Sequence, residues 1–220
     1  MSDAPPLRAE QLSTRFVRDL SFAVPAGGVC KLLVSSRDRR NDLVALLTGL
    51  AAPASGRLWL LGEDLYGLDE AHRIRLFRRV GVVLEDGGLI TNLKAWENIL
   101  LPSLYHHGKT AADVEPQVIA LFQELYPREP DLRRVMGGLP DQLSFYEKRL
   151  VALVRAFLLD PELMLYDFLV AGVDRDSAAR VLEVTQRFHA ARPGRASVYV
   201  CGDDAASAHI KADQTIELEH

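Results

Sequence analysis

Residues 150–167, LVALVRAFLLDPELMLYD, predict a helix followed by a buried strand. The first half of this stretch belongs to a helix predicted over residues 144–159, whose apolar side chains mark its inner faces. Pro161 then punctuates the chain, and residues 163–166 predict a buried strand that ends at Asp167. A helix that leads into a buried strand indicates an α/β protein, in which such units repeat along the chain.

The rest of the chain repeats this alternation of buried strands and helices. Strands are predicted at residues 29–34, 57–61, 80–84, 197–201 and, at a sheet edge, 214–218. Helices are predicted at residues 69–79, at 178–191, and from Leu43 to Gly49 after a polar loop of residues 35–42. Residues 92–136 are predicted to be mostly helical, with breaks near Pro102 and at Pro127–Pro130. The alternation predicts a mainly parallel sheet with right-handed crossovers.

The composition suits one α/β domain with room for an inserted lobe. Of the 220 residues, 48% are hydrophobic and 25% are charged, which allows a sizeable core and a well solvated surface. The net charge of -4 argues against a nucleic-acid partner, because phosphate contacts need clustered lysines and arginines.

The sequence also predicts a cytoplasmic protein that reaches a membrane only through a partner. No apolar run approaches the roughly 20 residues that a membrane span needs. The N-terminus lacks the basic and apolar stretches of a signal peptide. Cys30 and Cys201 lie in apolar runs without metal-ligand spacing, which favours buried thiols. Residues 218–220 look like the start of a purification tag.

Over residues 7–218 the order of segments resembles the nucleotide-binding subunits of ABC transporters. Residues 150–167 are similar to that family's alanine- and arginine-bearing helix, Asp-Pro turn and strand ending in aspartate. RRVGVVLEDGGLITNLKAWENILLP, residues 78–102, is similar to the strand, Q-loop and following segment. The resemblance implies a P-loop NTPase-like fold with an N-terminal antiparallel β part. It also implies a core lobe and a helical lobe, which would span residues 7–88 with 141–217, and residues 89–140.

The segment that resembles the family's P-loop lacks the chemistry of that loop. A P-loop uses glycines so that backbone N–H groups can crowd around phosphate, a lysine for the phosphates, and a hydroxyl for Mg²⁺. The glycines fall on Val34, Arg37 and Arg39, the lysine on Arg40, the hydroxyl on Asn41, and the next threonine on Asp42. We expect side chains at these positions to fill the phosphate space, and Asp42, with Asp38, to repel phosphate. The alternative is a plain helix capped by Asp38 or a nearby serine, and both interpretations predict weak or absent ATP binding.

Other positions of the resemblance are also replaced. Asp167 matches the aspartate that helps to hold Mg²⁺, although it could equally be a lone carboxylate at a strand end. The family's general base falls on Phe168, which can neither accept a proton nor polarise water. The switch histidine falls on Gly202, and the Q-loop glutamine falls on Glu85. Glu85 could meet a metal or be a solvated turn residue.

The family's signature motif, LSGGQ, closes on the phosphate held by the opposite subunit. Here its last four positions are Ser144, Phe145, Tyr146 and Glu147. The two rings would fill the gap for phosphate, or they are ordinary packing residues. Ala171–Asp174 keeps the pattern of the family's D-loop, which lies at the dimer interface. Phe16 is the candidate for stacking on adenine. The remaining histidines have no catalytic spacing and are predicted to lie on the surface: His106, His107, His189 and His209.

The main hypothesis is a pseudo-ATPase that acts as a structural or regulatory subunit of a membrane transport complex. Its partners would be a membrane permease, a second ABC ATPase-like subunit, or both; no nucleic acid and no cofactor are expected, beyond weak ATP and Mg²⁺ binding. EDGGL, residues 85–89, and ENILLP, residues 97–102, are similar to the branch that transports lipids and organic solvents.

Two alternatives stay open. The chain could be a divergent ABC ATPase, in which Arg40 carries phosphate and Asp167 carries Mg²⁺. It could instead be a soluble binding module that has left transport, in which Arg37, Arg39 and Arg40 attract an anion.

Overall fold

Five parallel strands form the sheet that carries the candidate site. The computed structural model describes residues 4–107, 110–126, 132–202, 205 and 207–218. In spatial order the strands are β6 (Val80–Val83), β7 (Leu163–Asp167), β8 (Ala196–Cys201), β3 (Val29–Val34) and β9 (Gln214–Leu218). All four pairings are parallel. The carboxyl ends of the strands therefore meet at one edge, where α/β proteins place their sites.

A second, antiparallel sheet lies in the N-terminal part. Its order is β2 (Leu20–Val24), β1 (Leu7–Ser13), β4 (Ser55–Leu60) and β5 (Glu63–Asp64). The strand β1 has no clear pattern in the sequence, because its pairings shift register between Ala9 and Leu12 and Gln11 has a φ of 48°. The antiparallel part predicted from the resemblance is thus present.

Seven helices are described. They are α1 (Arg37–Leu47), α2 (Glu70–Phe77), α3 (Ala95–His107), α4 (Ala111–Leu125), α5 (Leu132–Gly137), α6 (Phe145–Phe157) and α7 (Arg175–Ala190). One cluster of buried side chains joins α3, α4, α6 and α7 to one face of the parallel sheet. A second cluster lies between the other face, α1 and the antiparallel sheet. The two clusters pack against opposite faces of the parallel sheet and so hold in place the strand ends that carry the site.

Two predicted boundaries are wrong. The helix α1 begins at Arg37, not at Leu43, because Ser36 caps it and accepts a hydrogen bond from the Arg39 N–H. Pro102 does not break α3, which continues to His107. Its buried neighbours Ile99 and Ser103 hold the helix against the core on both sides of the proline. The break predicted at Pro127–Pro130 lies outside the described residues.

Candidate functional site

The candidate site lies at the carboxyl edge of the parallel sheet. Asp167 ends β7, Glu85 follows β6, Gly202 follows β8, and the short Ser35–Ser36 connection leads from β3 into α1. A cavity of about 530 Å³ opens here. It is lined by Val34, Ser35, Ser36, Arg37, Arg40, Glu85, Phe168 and Gly202. The fold thus brings together most of the residues that the sequence assigned to a nucleotide site.

Arg40 joins the two carboxylates of the site. Its Nε donates to Asp167 Oδ1 at 2.8 Å, and its Nη2 donates to Asp167 Oδ2 at 3.1 Å. Its Nη1 lies 2.6 Å from Glu85 Oε2. Arg40 is 9% exposed and Asp167 is 6% exposed, so little water screens the bidentate pair. Burial by itself would lower the pKa of Arg40, but Asp167 and Glu85 outweigh burial, so the pKa of Arg40 is raised.

These contacts give each carboxylate oxygen of Asp167 a partner. It is neither a lone carboxylate nor a free one, because both of its oxygens accept hydrogen bonds from Arg40. Asp167 Oδ2 also accepts from the Glu85 N–H at 3.2 Å. Glu85 lies in a turn and is half-buried; its carboxylate pairs with Arg40, and its N–H donates to Asp167.

Phe168 covers the guanidinium of Arg40. The centre of its ring lies 4.4 Å from Arg40 Cζ, within cation–π distance. The backbone of Phe168 has a φ of 47°, which is unusual for a bulky residue, and its N–H donates to the Val200 carbonyl at 2.9 Å. Phe168 therefore adds an apolar ring to the charged side chains around Arg40. We define the Arg40 cluster as Arg40, Glu85, Asp167 and Phe168.

A second buried arginine, which the sequence analysis missed, supports this cluster. Arg149 on α6 donates to the carbonyl of Glu85 at 2.7 Å and to that of Ala171 at 2.5 Å. Burial lowers the pKa of Arg149, and the charges of Glu85 and Asp167 oppose this effect. Arg149 thus adds a second positive charge beside two carboxylates. Its signal in the sequence is an arginine on the apolar face of a helix.

The start of α1 turns two of its charged side chains away from the cavity. Arg39 donates to the carbonyls of Phe16 at 2.9 Å and Leu218 at 2.7 Å. Asp42 accepts a hydrogen bond from the Thr14 hydroxyl. The prediction that Asp42 lies at the helix N-terminus is wrong, because α1 begins five residues earlier; Asp38 does lie in the first turn. Asn41 is exposed in the second turn.

The sequence pattern of the ABC transporter family matches residues 17–168. The chain belongs to this family. The uncharacterised ABC transporter ATP-binding protein YbbA of Escherichia coli K12 is 31% identical over 166 residues, which are 75% of this chain and 70% of YbbA. The methionine import ATP-binding protein MetN 1 of Acinetobacter baylyi is 26% identical over 173 residues, or 79% of this chain. The aligned part is 47% of that protein, so this chain spans about half of its length.

A solved structure of the family has the same fold. It is a dimeric ATP-binding cassette in a post-hydrolysis state bound to ADP and Pi. The TM-score is 0.82 at 18% identity, and the match covers 97% of this chain and 94% of that chain. The likeness confirms the predicted P-loop NTPase-like fold of ABC ATPases. The permease, the second ATPase-like subunit and the cytoplasmic position beside the membrane that we predicted are typical of this family. No helix within the described ranges is long and apolar enough to cross a membrane.

The signature position of this ABC domain is built as a capped helix start. Ser144 is the N-cap of α6; its hydroxyl accepts from the Glu147 N–H at 3.2 Å, and its N–H donates to Glu147 Oε2 at 2.8 Å. Glu147 is buried and also pairs with Arg134. Although burial would raise the pKa of Glu147, the Ser144 N–H and Arg134 outweigh burial, so its pKa is lowered.

The two rings of the signature position have different surroundings. Tyr146 is half-buried and donates its hydroxyl to the Leu125 carbonyl at 3.0 Å, so it is a packing residue, as one of our two interpretations expected. Phe145 is 69% exposed, and the packing interpretation is wrong for it. The ring of Phe145 lies 5.3 Å from Lys148 Nζ. The signature position therefore presents one aromatic ring to solvent.

The other predicted positions lie around this site. Asp174 of the D-loop caps α7 by accepting from the Ser177 N–H at 3.0 Å. Phe16 lines a separate cavity of about 610 Å³ together with Arg39. His209 is exposed, and His189 is half-buried and bonds Ser197 Oγ at 2.9 Å. The side chains of residues 106–107 lie outside what the structure describes.

Proposed function

We propose that this chain is a non-catalytic ABC subunit, a pseudo-ATPase with a structural or regulatory role in a membrane transport complex. The observation that carries the proposal is the bidentate ion pair between Arg40 and Asp167. The residues that the family's chemistry would place around Mg²⁺ and phosphate are here occupied with one another.

Mg²⁺ and ATP do not fit these residues in the usual arrangement. A magnesium ion takes oxygen ligands, yet both oxygens of Asp167 accept from Arg40. Freeing Asp167 would remove one of the two carboxylates that pair with the buried Arg40, which costs about 1–3 kcal/mol. That cost weakens metal binding by roughly 5- to 150-fold. Among the residues that the structure describes, no group of three or more His, Cys, Asp or Glu could hold a metal ion.

The backbone around α1 supports the same conclusion. The chain contains no glycine between Val29 and Thr48, so every residue of the β3–α1 connection carries a Cβ. At the general-base position Phe168 offers no proton acceptor. These positions therefore supply no general base for hydrolysis.

A subunit that does not hydrolyse ATP would act by binding other subunits through its surface. We propose a core lobe of residues 7–88 and 141–217 and a helical lobe of residues 89–140 that docks on the permease. The helical lobe exposes several large apolar side chains that suit such docking. They are Ile90, Leu101, Leu104, Tyr105 and Ile119. Attachment through the permease would place the chain at the cytoplasmic face of the membrane.

We also propose a second ABC subunit as a partner, supported by the dimeric state of the solved cassette with this fold. This chain would alter both shared sites, one through residues 34–42 and the other through residues 144–147. It would act as a scaffold or brake in the pair. Transport of lipids or other hydrophobic solutes is our proposal for the cargo, and only the short stretches at 85–89 and 97–102 support it.

Steady-state phosphate release from Mg-ATP tests the absence of turnover. We expect the purified chain to stay at the buffer background, and we expect Asp167→Asn to give the same rate. Asn keeps the size of the side chain and can still accept hydrogen bonds from Arg40.

Turnover above background that Asp167→Asn abolishes would contradict the proposal, because it would require Asp167 to act on a metal. Turnover that survives the substitution would come from a contaminant. Phe168→Glu restores a carboxylate at the base position and is the matched control. We expect no turnover in it, because the Arg40–Asp167 pair stays closed.

A further inference from the structure

We propose that a cleft at the amino edge of the parallel sheet binds a small zwitterion with an apolar side chain, a ligand of the free α-amino acid class. The cleft has a volume of about 310 Å³ and lies where β3 begins, at the opposite end of this strand from the Arg40 cluster. The inference rests on the proposed function, because it names the chemical signal that a regulatory subunit would read. We call this cavity the amino-edge cleft; its lining includes Val29, His189, Tyr199, Ile210, Lys211 and Asp213.

Apolar side chains form one wall of the amino-edge cleft. Tyr199 on β8 and Ile210 are buried, and Val29 at the start of β3 is half-buried. The Tyr199 hydroxyl donates to Thr185 Oγ1 at 2.9 Å, so this polar group is already satisfied within the fold. A wall of this kind favours an aliphatic or aromatic side chain, because binding removes that side chain from water.

Two opposite charges lie in the same cleft and are not paired with each other. Lys211 and Asp213 are both exposed, and no ion pair in the described part of the chain includes either of them. Asp213 Oδ2 accepts from the Val29 N–H at 2.7 Å, which leaves Oδ1 for a ligand. A simple anion would be repelled by Asp213 and a simple cation by Lys211, so a ligand that carries both charges suits the cleft best. Its ammonium group would donate to Asp213, and its carboxylate would accept from Lys211.

The frame of the amino-edge cleft is fixed by hydrogen bonds within the fold. His189, in the last turn of α7, bonds Ser197 Oγ at 2.9 Å and the Gly27 carbonyl at 3.1 Å. The Asp213 N–H donates to the Val29 carbonyl at 2.8 Å, so both the backbone and the side chain of Asp213 hold the start of β3. A cleft that is already formed loses little conformational freedom on binding, which favours a small ligand.

Titration calorimetry of the full chain, without nucleotide, tests the ligand class. The probes are L-leucine and L-phenylalanine, and we expect at least one of them to bind with a dissociation constant of about 1 mM or lower. Matched compounds lack one charge each: isocaproate and isopentylamine for leucine, hydrocinnamate and phenethylamine for phenylalanine. Each should bind at least about 10-fold more weakly than its amino acid, because one charge-assisted hydrogen bond is lost.

Substitutions at the two charges locate the site. Lys211→Met and Asp213→Asn should each weaken binding by about 10-fold or more. The control is Lys94→Met, which removes an exposed lysine outside the cleft and should leave binding unchanged. Because Lys211 is exposed, its substitution should leave the fold intact, and it keeps the test valid if Asp213→Asn unfolds.

Two results would overturn the inference. One is the absence of heat and of any rise in Tm with either amino acid at about 10 mM. The other is binding that neither Lys211→Met nor the loss of one ligand charge weakens. Either result leaves the proposed function intact, because that proposal fails only if Mg-ATP is bound or hydrolysed.

Discussion

Arg40 satisfies two carboxylates at once because its guanidinium is planar and offers donors in a fixed fork. Nε and Nη2 meet the two oxygens of Asp167, while Nη1 reaches Glu85. A lysine at this position could bring only a point charge and could not make the bidentate contact. An arginine at this position can therefore hold both carboxylates at once, which a lysine could not.

Removing Arg40 should destabilise the fold strongly. Arg40→Met leaves the buried Asp167 without the partner of its bidentate ion pair, and we expect the free energy of unfolding to fall by about 3–5 kcal/mol. Urea denaturation at neutral pH measures the change. The control is Arg37→Gln, because Arg37 is exposed, and its effect should stay within about 0.5 kcal/mol. A loss below about 1 kcal/mol for Arg40→Met would mean that the ion pair contributes little.

At the scale of elements, α6 organises the site. Its start is capped by Ser144 and Glu147, and Arg149 in its second turn holds the backbone after β6 and after β7. Arg155 lies further along the same helix. It donates to the carbonyls of Gly87 and Gly88 at 3.1 and 3.0 Å. The loop that follows β6 is thus fixed to α6 by two arginines.

The capping of α6 makes stability dependent on pH. Burial opposes ionisation of Glu147, but the Ser144 N–H and Arg134 prevail and lower its pKa below the ordinary value of 4.5. A lowered pKa in the folded state means that Glu147 stabilises the fold above its unfolded pKa. This contribution is lost as the pH falls through the folded pKa.

Glu147→Gln should therefore cost about 1–2 kcal/mol at pH 7, because a charge-assisted hydrogen bond is replaced by a neutral one. The difference from wild type should shrink once the pH falls below about 4.5. Thermal unfolding between pH 3 and pH 7 measures the loss of stability at pH 7 and its decrease at low pH. The control, Glu115→Gln on the exposed face of α4, should change stability by less than about 0.5 kcal/mol. A difference that stays constant with pH would contradict the assigned role.

Strands that contain continuous apolar runs could be predicted from the sequence. The prediction failed where contacts between residues far apart in the chain determine the structure. The strands at 29–34, 80–84 and 163–166 follow from buried runs, and the structure places them within one or two residues. The start of α1 was missed because a run of arginines hides the cap at Ser36. The pairing of Arg40 with Asp167 could not be predicted, since these residues lie 127 positions apart and only the parallel sheet brings them together.

At the scale of the whole molecule, the chain keeps the family's fold while its candidate site is neutralised internally. Arg40 and Arg149 face Asp167 and Glu85, so two positive charges meet two negative ones at the carboxyl edge of the sheet. Residues on both faces of that sheet pack into extensive cores. We therefore expect the fold to be complete without nucleotide, and the function to depend on the surfaces that the fold presents.

Titration calorimetry with Mg-ATP at millimolar concentration, with thermal unfolding under the same conditions, decides whether nucleotide binds. We predict no heat of binding and no change in Tm, because the Arg40–Asp167 pair must break before Mg²⁺ can bind. A dissociation constant near 10 μM would contradict this prediction. At 1 mM nucleotide such binding would stabilise the fold by about 2.7 kcal/mol and raise Tm by roughly 5–11 °C.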